Sequence, residues 1–128
     1  MGNPVVHFEI IGADPDRLRD FYGQLFDWEF DVGGPVAPSV SAAGRYGFTD
    51  TGADGTGTGI PGGIGGGPGY DTQVVFYAGV PDVEAALLKV ESLGGTRRMG
   101  PGHAPGSAVV VGHFADPEGN VVGVAAPA

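Results

Sequence analysis

The stretch Val109-Val-Val-Gly-His-Phe-Ala-Asp-Pro-Glu-Gly-Asn-Val-Val-Gly-Val-Ala125 reads as two strands joined by a tight turn. Asp116 suits the first turn position, where its side chain can accept from the backbone two residues on. Pro117 presets φ at the second position and Gly119 suits the fourth, which favours a type I turn. Valines fill both flanks, as a partly buried hairpin requires.

Upstream of the hairpin, Arg97 to Pro105 reads as a loop or a short strand. Before it, Gln73 to Val80 alternates as a strand, with Val74, Phe76, Ala78 and Val80 on one face and Gln73, Val75, Tyr77 and Gly79 on the other. Asp82 then caps a helix with apolar positions Val83, Ala86, Leu87, Val90 and Leu93, and Gly94-Gly95 stops it. The first part of the chain follows the same plan. Val5 to Ile11 reads as a strand with His7, Glu9 and Ile11 on one face. Asp14-Pro15 opens a helix whose apolar face is Leu18, Phe21, Tyr22, Leu25 and Phe26.

This is an internal repeat. Asp14 and Asp82 stand 68 positions apart, and the same offset pairs Phe8 with Phe76 and Leu25 with Leu93. Neither half holds enough apolar residues for a core of its own, so the two sheets should complete each other. One domain is expected, with a first module over about 3–66, a linker over about 65–70 and a second module over about 71–127.

Between Gly33 and Gly69 the pattern is weakest, because the 26 glycines concentrate there. Trp28 and Phe30 are read as opening a short strand. Ser39 to Ala43, Arg45 to Thr51 and Thr58 to Ile64 are read as strands, Gly52 to Gly55 as a turn and Gly65 to Gly69 as a linker. The glycine run is not a phosphate loop, since it lacks the Gly-Lys-Ser/Thr ending and leads into no helix.

Composition excludes several classes. A net charge of −9 with six basic residues leaves no face for nucleic acid. The absence of cysteine removes disulfides, thiolate nucleophiles and cysteine-ligated zinc. No apolar run has the length of a membrane span and no signal peptide is visible, so a cytoplasmic protein is expected. No nucleophile elbow surrounds Ser39, Ser41, Ser92 or Ser107.

The repeat, its aspartate-capped helices and the Asp116-Pro-Glu-Gly-Asn120 hairpin together resemble the vicinal oxygen chelate superfamily. That superfamily includes glyoxalase I, bleomycin-resistance proteins, fosfomycin-resistance enzymes and extradiol dioxygenases. His7 to Tyr22, Val75 to Gly95 and Phe114 to Val124 carry the match. The resemblance implies an α+β fold of two βαβββ modules in one chain, with curved sheets around a shared cleft. It also implies a divalent metal held by inward-facing strand residues in the enzymes. The ligand positions match His7, Val75 (or Gln73 with a two-residue shift) and Gly123. Neither valine nor glycine offers a side-chain ligand, so no metal or other cofactor is expected. A rearranged set of Glu9, Gln73 and His113 is the alternative.

Five residues are candidates for ligand contact. His7 and Glu9 share a strand face and suit a base and a hydrogen-bond donor, which makes them the catalytic candidates as well. Gln73 and Tyr77 share the facing strand's inward side and suit a mainly apolar pocket with a few polar groups. His113 either faces the cleft or serves as a structural histidine bonded to a backbone carbonyl, the favoured reading. His103 is read as a surface residue near the cleft mouth. Trp28, Tyr46 and Phe48 are candidates for an aromatic cleft wall, with core packing the favoured reading for Trp28.

The expected function is metal-independent binding of a small organic molecule in the inter-module cleft, similar to the bleomycin-resistance proteins. The alternative is a lyase, isomerase or dioxygenase-like enzyme acting on a small oxygenated metabolite. A homodimer is expected, from the resemblance and from sheet edges that need cover.

Overall fold

Each half of the chain begins with a strand and continues into a helix capped by an aspartate. The computed structural model describes residues 2–50, 59–103 and 107–127. In the first half, β1 (Val5–Gly12) leads to α1 (Pro15–Phe26), β2 (Asp31–Val32), β3 (Gly47–Asp50) and β4 (Pro61–Gly66). In the second, β5 (Gln73–Gly79) leads to α2 (Val83–Ser92), β6 (Thr96–Gly102), β7 (Val109–Ala115) and β8 (Val121–Pro127). The Asp14 carboxylate accepts from the Arg17 amide at 3.2 Å and the Asp82 carboxylate from the Ala85 amide at 2.8 Å, so both caps are made as read. Gly94, at φ +95, ends α2.

The eight strands form one curved sheet in the order β2-β3-β4-β1-β5-β8-β7-β6. Each module therefore contributes four strands, and the modules join within one chain where β1 runs antiparallel to β5. Phe8 lies directly opposite Phe76, its own repeat partner. A local two-fold axis therefore passes between these two phenylalanines. It relates His7 to Val75 and Glu9 to Tyr77, and the register sets His7 beside Tyr77 and Glu9 beside Val75. Beyond the centre, Glu9 pairs with Gly63 on β4 and Tyr77 with Gly123 on β8.

Two clusters hold the modules. In one, Val83 and Leu87 of α2 pack on Val124 and Ala126 of β8. In the other, Ile11, Ala37, Val40 and Tyr46 of the first module meet Met99 and Val111 of the second, which ties the modules across the cleft. The final hairpin has the expected turn. Asp116 Oδ1 accepts from the amides of Glu118 and Asn120, each at 2.9 Å, and the Asp116 carbonyl accepts from Gly119 at 2.9 Å.

Several segments differ from the sequence reading. Residues 38–44 form turns and bends rather than a strand. There the buried Ser41 hydroxyl accepts from the Gly66 amide at 2.9 Å, and Tyr70 donates to the Pro38 carbonyl at 2.6 Å. Side-chain bonds of this kind replace a strand ladder. The short strand expected at Trp28 and Phe30 lies at Asp31–Val32, because Asp27 leaves the helix in a left-handed conformation, φ 57. Gly65 and Gly66 belong to β4, so the inter-module connection starts at Gly67. Of the two readings of Arg97 to Pro105, a loop or a short strand, the strand is the one formed as far as Gly102, starting one residue earlier at Thr96 and setting Arg97 opposite Phe114. The turn read at Gly52 to Gly55 lies outside the described residues.

The apolar face of α1 is also less buried than its periodicity suggests. Only Pro15 is fully buried, while Phe21, Leu25 and Phe26 stay exposed. The reason is that α1 sits over β4, four of whose six residues are glycine and offer little side-chain surface to pack on. No helix among the described residues is long and apolar enough to cross a membrane.

Candidate functional site

Between the modules lies a cavity of about 290 Å³. Its apolar wall comes from Val36, Ala37 and Val40 on one side and Val109 and Val111 on the other. His7, Glu9, Tyr46 and Tyr77 supply its polar floor, and His103 and Ser107 also border it. Such a lining, apolar with a few convergent polar groups, is the ordinary character of a small-molecule site.

With His113 buried behind Tyr77, this floor belongs to a chain of five side chains. Glu9 is 3 % exposed. Its Oε1 accepts from the Tyr46 hydroxyl at 3.0 Å and its Oε2 from the Tyr77 hydroxyl at 2.9 Å. Beyond each phenol stands a histidine. His7 Nε2 is 3.0 Å from the Tyr46 oxygen, and His113 Nε2 is 2.6 Å from the Tyr77 oxygen. The order is His7–Tyr46–Glu9–Tyr77–His113.

Glycine makes this arrangement possible. Tyr46 lies flat over β4, where a Cβ at Gly63 would fall inside its ring and one at Gly65 would meet it at 2.5 Å. Tyr77 lies over β8 in the same way, its ring occupying the space a Cβ at Gly123 would need. Glycine in a strand admits such an approach of rings to backbone.

Burial sets the charge states. It pushes the Glu9 carboxyl up to about 7, although the bonds from Tyr77 and Tyr46 pull the other way. It lowers His7 and His113 to about 4, so both are neutral at neutral pH. It raises both phenols, with the Glu9 charge adding to the effect. A phenol has one proton to give. When Glu9 is ionised, both tyrosines give theirs to it, and each accepts from its histidine. Both histidines then carry their proton on Nε2. His113 Nε2 lies 3.8 Å from Glu9 Oε2, but the neutral ring makes this no ion pair.

The donor set does not fit a divalent cation. Val75 and Gly123 carry no ligand atom, and the Tyr77 ring fills the space above Gly123. The two-fold counterpart of Gly123 is Gly63, covered likewise by Tyr46. Among the described residues, no three His, Asp or Glu side chains converge to hold a metal. Catalytic metal sites ordinarily need about three protein ligands.

Of the five residues singled out in the sequence, His7, Glu9, Tyr77 and His113 come together. Gln73 does not. It lies at the far end of β5 opposite Ile11, half-buried and away from the cavity lining. His113 is buried, and the partner of its Nε2 is the Tyr77 phenol where a backbone carbonyl was expected. His103 is exposed, as read, but borders the cavity. Tyr46 and Phe48 form an aromatic wall as read, whereas Trp28 packs with Phe8, Tyr22 and Phe26 away from the cavity. The role missed in the sequence is that of Tyr46 as a partner of Glu9. The glycine run opposite it was the available signal, because consecutive strand glycines invite a ring onto the backbone.

Fold and site define a class, that of paired βαβββ modules sharing a ligand-sized cleft. The family model of the Glyoxalase/Bleomycin resistance protein/Dioxygenase superfamily matches residues 5–124, and the chain belongs to that superfamily. No curated protein matches the chain. Among solved structures, methylmalonyl-CoA epimerase of Streptomyces coelicolor superposes with a TM-score of 0.64 at 14 % identity, covering 98 % of each chain. A hypothetical protein of Bacillus halodurans C-125 gives 0.62 at 13 % identity, over 100 % of this chain and 96 % of that one. A superfamily member from Vibrio splendidus 12B01 gives 0.54 at 13 %, over 98 % and 99 %. At these identities the likeness is one of fold, and a shared fold does not select a function.

Proposed function

We propose that this protein binds a small, largely apolar organic molecule in the inter-module cavity, without a metal ion. The observation that carries this reading is the Tyr77 ring lying over Gly123, where the resemblance would place an acidic metal ligand. The space a side chain at position 123 would need is taken by that ring. What stays open is a cavity of about 290 Å³ lined mainly by apolar side chains, five of them valines, with Glu9 and its two phenols as the polar recognition group. Among its described lining residues there is no lysine or arginine, so an uncharged molecule with a carbonyl or hydroxyl group suits it better than a carboxylate or phosphate.

Homodimerisation belongs to the same reading. Phe76 lies beside Phe8, whose ring meets Trp28, which in turn meets Tyr22 and Phe26. With exposed Val74 and Phe21 this makes a continuous apolar strip, of the kind that a partner surface covers.

The test combines elemental analysis of tag-free protein with a thermal-shift screen of uncharged carbonyl and phenolic compounds. The expected result is no tightly held ion and a raised melting temperature with some compounds, lost in Val36→Trp, which fills the cavity. About one firmly bound divalent ion per chain would overturn the reading. So would compounds that bind Val36→Trp as well as the parent chain.

A further inference from the structure

The cavity shares Val6, Val109 and Ala125 with an open trough of about 510 Å³ at one end of the sheet. Strand register makes the two a continuous surface. One row across the sheet sets Tyr77, Gly123 and His113 side by side. Two residues further along, Gly79 pairs with Ala125 and Ala125 with Val111. Two residues beyond that, Val109 pairs with Pro127. Residues two apart on a strand share a face, so the inner face that carries Tyr77 runs on through Gly79 and Ala125 to Pro127.

The residues along this run are small or apolar. A Cβ at Gly79 would lie 3.2 Å from Val6 Cγ1 and 3.8 Å from Pro4 Cγ, so the missing side chain keeps the trough open beside them. Val6 and Val109 are 37 % and 46 % exposed, which leaves apolar surface for a ligand to cover. Asn3 supplies the one polar side chain among the described lining residues. The other flank of the cavity differs, for past His7 and Phe48 stand Glu29, Asp31 and Asp50. One way out is apolar and the other acidic, so an apolar chain leaves by the first.

We propose that the trough holds an unbranched alkyl tail of the molecule whose carbonyl or hydroxyl group sits at Glu9, Tyr46 and Tyr77. This rests on the binding reading above and adds the shape of the ligand to it. The register sets the length. From Gly123 to Ala125, where the cavity gives way to the trough, the strand covers about 7 Å, which an extended chain of roughly five carbons spans at ordinary bond lengths. From Gly123 to Pro127 it covers about 13 Å, or roughly ten carbons. The ligand class is a neutral, medium-chain alkyl ketone, ester or alcohol.

The experiment measures binding of the full chain to 2-alkanones of increasing length, up to eleven carbons beyond the carbonyl, by calorimetry. Kd should fall by about twofold to fourfold for each added methylene, the upper value being that of full burial. The gain should continue past about five tail carbons and level off near about ten. Gly79→Val, which fills the trough where it meets the cavity, should stop the gain at about five. Ala108→Trp, at an exposed residue of the trough's far end, should stop it short of the parent chain and keeps the test open if Gly79→Val does not fold. A gain that ends at about five carbons in the parent chain, or that both variants leave unchanged, overturns the inference. The binding reading then stands as long as Val36→Trp still abolishes binding. A parent dimer that Ala108→Trp dissociates gives the trough to a second copy of the chain and likewise overturns the inference. Failure of every ketone to bind at its solubility limit, with the fold intact by circular dichroism, overturns both readings for this ligand class.

Discussion

The hydroxyl of Tyr77 donates to Oε2 of Glu9 at 2.9 Å, and the two residues are repeat partners 68 positions apart. The same position in the two modules thus holds an acid in one and its hydrogen-bond donor in the other. The local two-fold brings them together because it passes between Phe8 and Phe76, one residue before each. The bond is therefore made across the module interface, and stability and site chemistry share it.

One consequence is a pH signature of stability. Glu9 goes from an ordinary 4.5 to about 7 on folding, so its contribution is full below about 4.5 and is lost as pH rises through 7. His7 and His113 fall from 6.5 to about 4, so theirs is full above 6.5 and lost as pH falls toward 4. The parent chain should gain stability from about pH 4 to about pH 6.5, lose a little as Glu9 finishes ionising, and level off above about pH 7. Glu9→Gln should lack the opposing carboxyl and gain more steeply. The difference between them should amount to something on the order of 3 kcal/mol across that window, read by urea unfolding at several pH values. Parallel profiles would show that Glu9 titrates normally.

Removing the phenol tests the bond itself. Tyr77→Phe keeps the ring over Gly123 but leaves Glu9 Oε2 and His113 Nε2 without their partner. A loss of about 1–3 kcal/mol is expected, larger above about pH 7 where the carboxylate is charged. A loss that is the same at all pH values would place the phenol's contribution in packing alone.

The glycine floor is equally open to test. Gly123→Ala puts a methyl into the Tyr77 ring, and about 1–3 kcal/mol should be lost. In the double variant Gly123→Ala/Tyr77→Ala the clash is gone, so the combined loss should fall short of the sum of the two single losses. Additive losses would separate the two residues.

The apolar strip predicts assembly. The parent chain should run as a dimer in light scattering after gel filtration, and Phe76→Glu should run as a monomer with its fold retained. A monomeric parent chain, or a dimer unaffected by Phe76→Glu, would assign the strip no role in pairing.

Sequence alone determined the local features of this protein. Aspartate caps, the Asp116 turn, the alternation of β1 and β5 and the repeat all depend on neighbours a few residues away, or on comparison of one half with the other. Those signals yield the two modules and the strand faces that carry His7, Glu9 and Tyr77. Tertiary structure alone decided the site. Tyr46 lies 37 positions from Glu9 and 39 from His7, in the glycine-rich segment where the sequence pattern is weakest, and His113 lies 36 from Tyr77. Their meeting depends on Gly63, Gly65 and Gly123 leaving room for two rings. A glycine chosen for the space above it looks, in one sequence, like a glycine chosen for a turn, because both lack a side chain. Only the packed chain reveals which neighbour takes up that space.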